Sequence, residues 1–349
     1  MLIVKLGAIG DIIHTLPSLA AIRTAYPKAV ISWAADTRSA EILRGNELID
    51  NLIEVDTRSL RGGKVIDDIL IDLSKQVREI RKFDFDVALD FQGLLKSAIL
   101  AKLSGAKRRW GFDRKSLREP AGKFFLSDTV EIPPKTHIIK KNLLLAERAL
   151  GLKVTEKVAF PIFTEPAHRD EAKTIAAKAG GRFAILNPAG GWVTKLWRAE
   201  DYGRLADRIW EEHGLVSVIA TGPGEEHLAA SVLANSRSGK VIAAEPSLKG
   251  FFELAKNASV YVGGDTGPTH LAIAARAPVV GIFGPTEWWR NGSLDPQDID
   301  AGRTDIGCRV DCHRRKCSKW ICMDIDAETV LNAVSERLAR AANTVEASI

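Results

Sequence analysis

The run Val260-Tyr-Val-Gly-Gly-Asp-Thr-Gly-Pro-Thr-His-Leu-Ala-Ile-Ala-Ala275 decides how the chain is read. Val260 to Val262 is a short apolar run of β-branched and aromatic residues, the pattern of a buried strand. Gly263 and Gly264 permit a tight turn and close approach of another backbone. Thr266 or Gly267 suits the helix N-cap, and Pro268 suits the first helical position, where a missing N–H costs nothing. An alanine-rich helix over His270 to Arg276 follows, then a second strand over Pro278 to Phe283 and a turn at Gly284-Pro-Thr286. The unit is β-α-β. Its bare helix amides and positive dipole end make the loop an anion site, with phosphate as the natural ligand. An ordinary tight turn in a parallel sheet shares these signals, but it requires neither Asp265 nor His270, which flank the same helix start.

The chain is long enough for two such sheets. Its 349 residues suit two domains better than one. Apolar residues at 46% and charged residues at 27% are ordinary for a soluble globular protein. The net charge of +5 is modest, so its placement matters more than its size. No run approaches the roughly 18 apolar residues of a membrane span. Lys5 interrupts the apolar run at the N-terminus, which reads as a first strand rather than a signal peptide, so a cytoplasmic protein is expected. Cys308, Cys312, Cys317 and Cys322 crowd into one segment. Their spacing is looser than the paired CxxC of structural zinc sites, so free thiols are expected and no metal is assigned.

From the N-terminus, Leu2 to Leu6 is a strand and Gly7-Ala-Ile-Gly10-Asp11 is its turn. Asp11 sits at a helix start, where an acid is often only a cap. Pro17 must kink or restart that helix. Residues 51–82 alternate charged and apolar positions around a basic loop at Arg58, Arg61 and Lys64. Val87 to Leu89 is a strand leading into Asp90-Phe-Gln-Gly-Leu-Leu-Lys-Ser97. A dense basic region follows, with Lys107, Arg108, Arg109, Arg114, Lys115, Arg118 and Lys123 interleaved with Trp110, Phe112 and Phe124. Nucleic acid, a small polyanionic acceptor and a plain solvated face all fit such a surface.

A helical pattern over His137 to Leu150 and a Pro-containing connection mark the domain boundary. The expected domains are residues 1–160 and 161–326, with a C-terminal helix over 327–349 that has the option of packing back on the first domain. The second half repeats the β-α logic: strand Phe183 to Leu186, loop 187–197, helix Tyr202 to Glu212, strand Leu215 to Ala220, turn Thr221-Gly-Pro-Gly-Glu-Glu-His227. Neither half carries GxGxxG, so a dinucleotide enzyme fits poorly. Strands alternating with helices imply two doubly wound parallel sheets, with ligands beyond the carboxyl ends of the strands.

Taken together, Gly7–Asp11, Asp90–Ser97, Lys195-Leu-Trp197 and Gly264–His270 fall in an order that resembles the family 9 glycosyltransferases, the ADP-heptose–lipopolysaccharide heptosyltransferases. The DxQGLxKSA string and Arg118-Glu-Pro120 are most similar to the heptosyltransferase I branch. Gly190 and Gly191, and the cysteine-bearing tail, depart from that branch. The resemblance implies a GT-B architecture, α/β, of two Rossmann-like domains with a cleft between them. It implies inverting transfer with no metal and no cofactor, from ADP-heptose to the Kdo region of an acidic glycolipid of the Kdo-lipid A type. Contact with the inner face of the cytoplasmic membrane is implied too, and no nucleic acid is expected.

By position, the resemblance gives Asp11 as general base. Lys195 falls on the donor diphosphate, Glu226 (with Glu225 as the alternative) on the donor ribose, and Asp265, Thr266, Gly267 and His270 around the diphosphate and heptose. Gly10, Arg58, Arg61, Gln92, Lys96 and Arg118 fall to the acceptor. The residue types suit that chemistry. A helix N-terminus with a lysine stabilises a leaving diphosphate without a metal, a carboxylate accepts two hydrogen bonds from a vicinal diol, and an acid serves as base. A non-catalytic nucleotide-sugar or nucleic-acid binder would use the basic surface without needing Asp11, and another family 9 enzyme would act on a different acceptor.

Overall fold

The computed structural model describes residues 1–56, 78–153, 158–308, 312 and 315–346. The chain divides into two compact units, Met1–Phe163 and Thr164–Ile349. Each is built on a six-stranded sheet in which every pairing is parallel.

In the first unit the strands are β1 (Leu2–Val4), β2 (Ser32–Asp36), β3 (Asn51–Val55), β4 (Val87–Asp90), β5 (Arg108–Phe112) and β6 (Asp128–Val130), in the order β3-β2-β1-β4-β5-β6. In the second they are β7 (Phe183–Asn187), β8 (Val216–Ala220), β9 (Val241–Ala244), β10 (Val260–Gly263), β11 (Val279–Gly281) and β12 (Ile299–Asp300), in the order β12-β11-β10-β7-β8-β9. The central strands are buried on both faces, which is why they read as unbroken apolar runs.

In each sheet the order reverses once, between β1 and β4 and between β7 and β10. Chains leaving neighbouring strands on opposite sides of such a point open a crevice at their carboxyl ends. The turns after β1 and β4 carry Asp11 and Gln92. The turns after β7 and β10 carry Lys195 and Asp265.

Local sequence explains the element ends. Pro17 does restart the first helix: Ile9–Ile13 ends at His14, and a new helix, Leu16–Ala25, takes the proline into its first turn. Gly151 and Gly214 end their helices in the left-handed conformation that favours glycine. The helix after β10 begins at Gly267, with Thr266, one of the two expected caps, as N-cap and Pro268 in its first turn.

Asp326 accepts the Thr329 amide at 2.6 Å and starts the last helix, Ala327–Glu346. That helix buries Val330, Leu331 and Val334 in the core of the second unit, beside Leu205, Ile209 and Val280, so residues 327–346 form part of that unit rather than a segment set apart. No described helix is long and apolar enough to cross a membrane.

Candidate active site

In the second unit the Gly263-Gly264 turn brings β10 against the loop that follows β7. A Cβ on Gly264 would stand 3.3 Å from the Lys195 carbonyl oxygen, so glycine is what lets the two backbones meet. Lys195 closes a short 3-10 turn, Val193–Lys195, and points its ammonium at Asp265. Nζ donates to Asp265 Oδ2 at 2.6 Å and to the Asp265 carbonyl at 2.9 Å. On its other side, Asp265 Oδ1 lies 3.1 Å from His270 Nε2. Asn291 approaches Oδ2 at 3.5 Å.

Asp265 is buried, which disfavours its charge, but the hydrogen bond and charge at His270 and the charge of Lys195 outweigh that and hold the carboxyl far below the usual carboxylate range. Two of the three ammonium hydrogens of Lys195 are thus engaged. The indole of Trp192 lies under the same ammonium, with Nζ 4.5 Å from the ring centre.

The helix start beside this triad is bare. Thr266 makes no side-chain cap; its hydroxyl instead reaches Asn187 Oδ1 at 3.4 Å and Thr269 Oγ1 at 3.3 Å. Thr269 is itself bonded to the Gly264 carbonyl and to the Tyr261 hydroxyl. The His270 amide bonds the Thr266 carbonyl at 3.3 Å, Pro268 has no amide, and this helix start is where the dipole favours negative charge. Asn187 is fixed in turn, with Nδ2 donating to the Ala220 carbonyl at 2.7 Å and its own carbonyl accepting from the Tyr202 hydroxyl at 2.8 Å. One polar net joins the ends of β7, β8 and β10.

Glu226 opens the helix after β8, exposed, and Oε1 accepts the Gly224 amide at 2.9 Å. That amide is the chief cause of a carboxyl held below its ordinary value. Glu225 instead accepts the Gly222 amide at 3.0 Å and braces the same turn.

In the first unit Asp11 lies in the first turn of the helix Ile9–Ile13, where Oδ2 accepts the Ala8 amide at 3.2 Å. A buried lysine, Lys5, stands beneath it with Nζ 3.8 Å from Oδ1 and 2.9 Å from the Phe91 carbonyl. Gln92 ties the two crevice turns together, since Oε1 accepts the amides of Leu6 and Gly7 at 3.0 and 3.2 Å.

Gly93 holds a left-handed φ of +70°. Its carbonyl accepts the amides of Arg118 and Glu119, which stitches the loop after β5 to the turn after β4. Gly10, Gln92, Lys96 and Arg118 are all placed at this one end of the sheet. Arg58 and Arg61 lie outside the described residues.

Three of the seven cations of the basic region are structural. Lys107 pairs with Asp86 and Arg108 with Asp128, each at 3.0 Å, and Arg109 binds the carbonyls of Phe125 and Ala106. Arg114, Lys115, Arg118 and Lys123 make no ion pair among the described residues. The four cysteines form no disulfide.

Several participants escaped the sequence reading. Asp90 is wholly buried under Ser97 Oγ and the amides of Gln92 and Gly93, and burial pushes its carboxyl up to about 6. Asn187, Trp192 and Asn291 complete the lysine–aspartate site. Only Lys5 gave a signal, as a charge inside an otherwise apolar strand.

Comparison with known proteins gives this arrangement a setting. A profile of "Glycosyltransferase family 9 (heptosyltransferase)" matches residues 73–343. Lipopolysaccharide heptosyltransferase 1 of Pseudomonas aeruginosa is 28% identical over 326 residues, covering 91% of this chain and 87% of its own. The protein of the same name from Escherichia coli K12 is 25% identical over 287 residues, covering 82% and 88%. Among solved structures, E. coli heptosyltransferase WaaC with ADP superposes with a TM-score of 0.70 at 25% identity, over 84% of this chain and 89% of that one. A family 9 glycosyltransferase from Veillonella parvula shares the fold, with a TM-score of 0.80 at 19% identity over 97% of both chains. With the profile spanning more than half of its length, the chain belongs to glycosyltransferase family 9, the heptosyltransferases, and is an enzyme of that class.

Proposed function

We propose that this enzyme transfers heptose from ADP-heptose, with inversion and without a metal, to the Kdo region of the lipopolysaccharide inner core. The observation that carries the donor half is the Lys195–Asp265–His270 cluster beside an uncapped helix start at a strand-order reversal. A nucleotide-sugar bond breaks when its diphosphate leaves, and fixed dipoles and an ammonium aimed at that charge lower the barrier. Two solved structures of one relative, E. coli WaaC with ADP and with ADP-2-deoxy-2-fluoro heptose, support the choice of nucleotide.

Lys195, the Thr266 to His270 turn and its amides bind the diphosphate and heptose, and Glu226 accepts the ribose diol. Asp11 takes the proton from the attacking acceptor hydroxyl, so the hydroxyl oxygen bonds to the anomeric carbon as the bond from that carbon to the diphosphate oxygen breaks. Gly10, Gln92, Lys96 and Arg118, with Arg58 and Arg61, receive the acceptor. Its acid groups and lipid would place the enzyme in the cytoplasm, at the inner face of the membrane.

The test is ADP release from ADP-heptose by the purified protein, with Kdo-lipid A, with a heptosylated core or with no acceptor. Release dependent on Kdo-lipid A is expected. Release only with the already heptosylated core would move the enzyme to a later step, and no release with any acceptor would overturn the reading.

A further inference from the structure

The cysteine-bearing segment, which the proposed chemistry does not use, leans on the loop that carries Lys195. Trp320 donates its indole N–H to the Thr194 carbonyl at 2.9 Å, across 126 residues of chain. Its backbone is left-handed, with φ at 38° and ψ at 30°. A bulky aromatic residue rarely adopts that conformation, and such outliers persist where surrounding structure over-determines them. Two contacts do so here. The Trp320 amide donates to Cys317 Sγ at 3.3 Å, and the indole is held by Thr194, which is buried. Arg315, from the same segment, lies 5.3 Å from the ring centre of Trp192, the ring that also underlies the Lys195 ammonium. The short turn Val193–Lys195 is thus gripped at Trp192 and at Thr194, the residue just before the lysine.

The geometry points to Trp320 as a positioning residue for Lys195. It fixes the 3-10 turn so that the ammonium meets both the Asp265 carboxylate and a bound diphosphate. Trp320 itself touches neither. This rests on the reading of Lys195 as a donor ligand, and a shift of about 1 Å at such a group is enough to matter for turnover.

ADP binding by calorimetry in a two-by-two set separates the two claims. Trp320→Phe keeps an aromatic ring and removes the N–H that donates to the Thr194 carbonyl. ADP affinity should fall about five- to tenfold, in line with the loss of one net hydrogen bond, and with the fold retained by melting temperature. In a Lys195→Ala background the same Trp320→Phe change should have almost no further effect, because the group it positions is gone. Equal losses in both backgrounds, or none in either, would overturn the role of Trp320. Unchanged ADP affinity in Lys195→Ala alone would instead overturn the donor reading beneath it.

A measurement on the unaltered protein covers the case in which Trp320→Phe does not fold. Saturating ADP should slow amide hydrogen exchange in residues 315–322 together with 192–195. Protection confined to 192–195 would show that the segment is not coupled to the site.

Discussion

Lys195 and Asp265 meet in a buried ion pair, Nζ 2.6 Å from Oδ2, across the reversal point of the second sheet. Removing Lys195 leaves Asp265 with His270 and Asn291 as its remaining partners. Lys195→Ala should therefore weaken donor binding and turnover and also lower the melting temperature, by less than the loss of a fully buried pair because His270 and Asn291 still contact Asp265. Replacing both charges separates these effects. Lys195→Met combined with Asp265→Asn should recover most of the melting temperature while ADP affinity stays low. Recovery of ADP binding in the double variant would mean that the pair serves the fold and not the donor.

Glu226 offers a cleaner donor test because it is exposed. Its carboxylate accepts the Gly224 amide. Glu226→Ala should leave the melting temperature within a degree or two and raise the donor KM, with kcat at saturating donor nearly kept. The same experiment on Glu225, which braces the turn through the Gly222 amide, should give the opposite balance. If Glu225→Ala alone raises KM, the ribose acid is Glu225.

Asp90 makes stability depend on pH. Burial lifts its folded carboxyl to about 6 against hydrogen bonds from Ser97, Gly93 and Gln92 and the charge of Lys5. The unfolded chain titrates near the ordinary value of about 4. A carboxyl raised by folding favours the protonated folded state, so its stabilising contribution is complete below about pH 4 and is lost as pH rises through about 6. A rise from about 4 to about 6 corresponds to on the order of 3 kcal/mol. Asp90→Asn keeps an oxygen for the two amides and cannot ionise, so its urea midpoint should fall less than that of the unaltered protein between pH 4 and 7. Parallel midpoint curves would show that Asp90 does not titrate in that window.

How far the sequence carries this far is visible in particular residues. The apolar strands, the restart at Pro17 and the helix start at Thr266 to Pro268 are local signals, and each lies in the structure where its signal placed it or within a few residues. Long-range pairing is not local. Nothing near Lys195 announces Asp265, 70 residues on, and nothing near Trp320 announces Thr194. The basic region misleads for the same reason. The register of β5 on β6 sets Trp110 against Asp128, which brings Arg108 to that acid and withdraws it from the surface charge. The burial of Asp90 was equally hidden, because a polar residue at a strand end reads as a turn residue until its neighbours close over it.

Asp11 carries the last prediction. The structure gives it the modest role that sequence also allows: Oδ2 accepts the Ala8 amide at 3.2 Å, and the carboxylate is the nearest acid to the buried ammonium of Lys5, at 3.8 Å. Asparagine preserves the first of these, since from the same N3 position its Oδ1 can accept the amide of Ala8, the N-cap residue. The second is only partly lost, because Lys5 keeps its bond to the Phe91 carbonyl at 2.9 Å. Asp11→Asn should therefore fold, with a melting temperature within a few degrees of the unaltered protein, and should bind ADP with unchanged affinity. What asparagine cannot do is take a proton at neutral pH. General-base catalysis is commonly worth about 10²–10⁴-fold, and the deficit should appear in kcat while the donor KM stays nearly constant. Single-turnover measurements with the Kdo acceptor would place the loss in the chemical step. A folded Asp11→Asn protein that transfers heptose at near the original rate would leave Asp11 as a cap, and the base would then belong to another residue of the first unit.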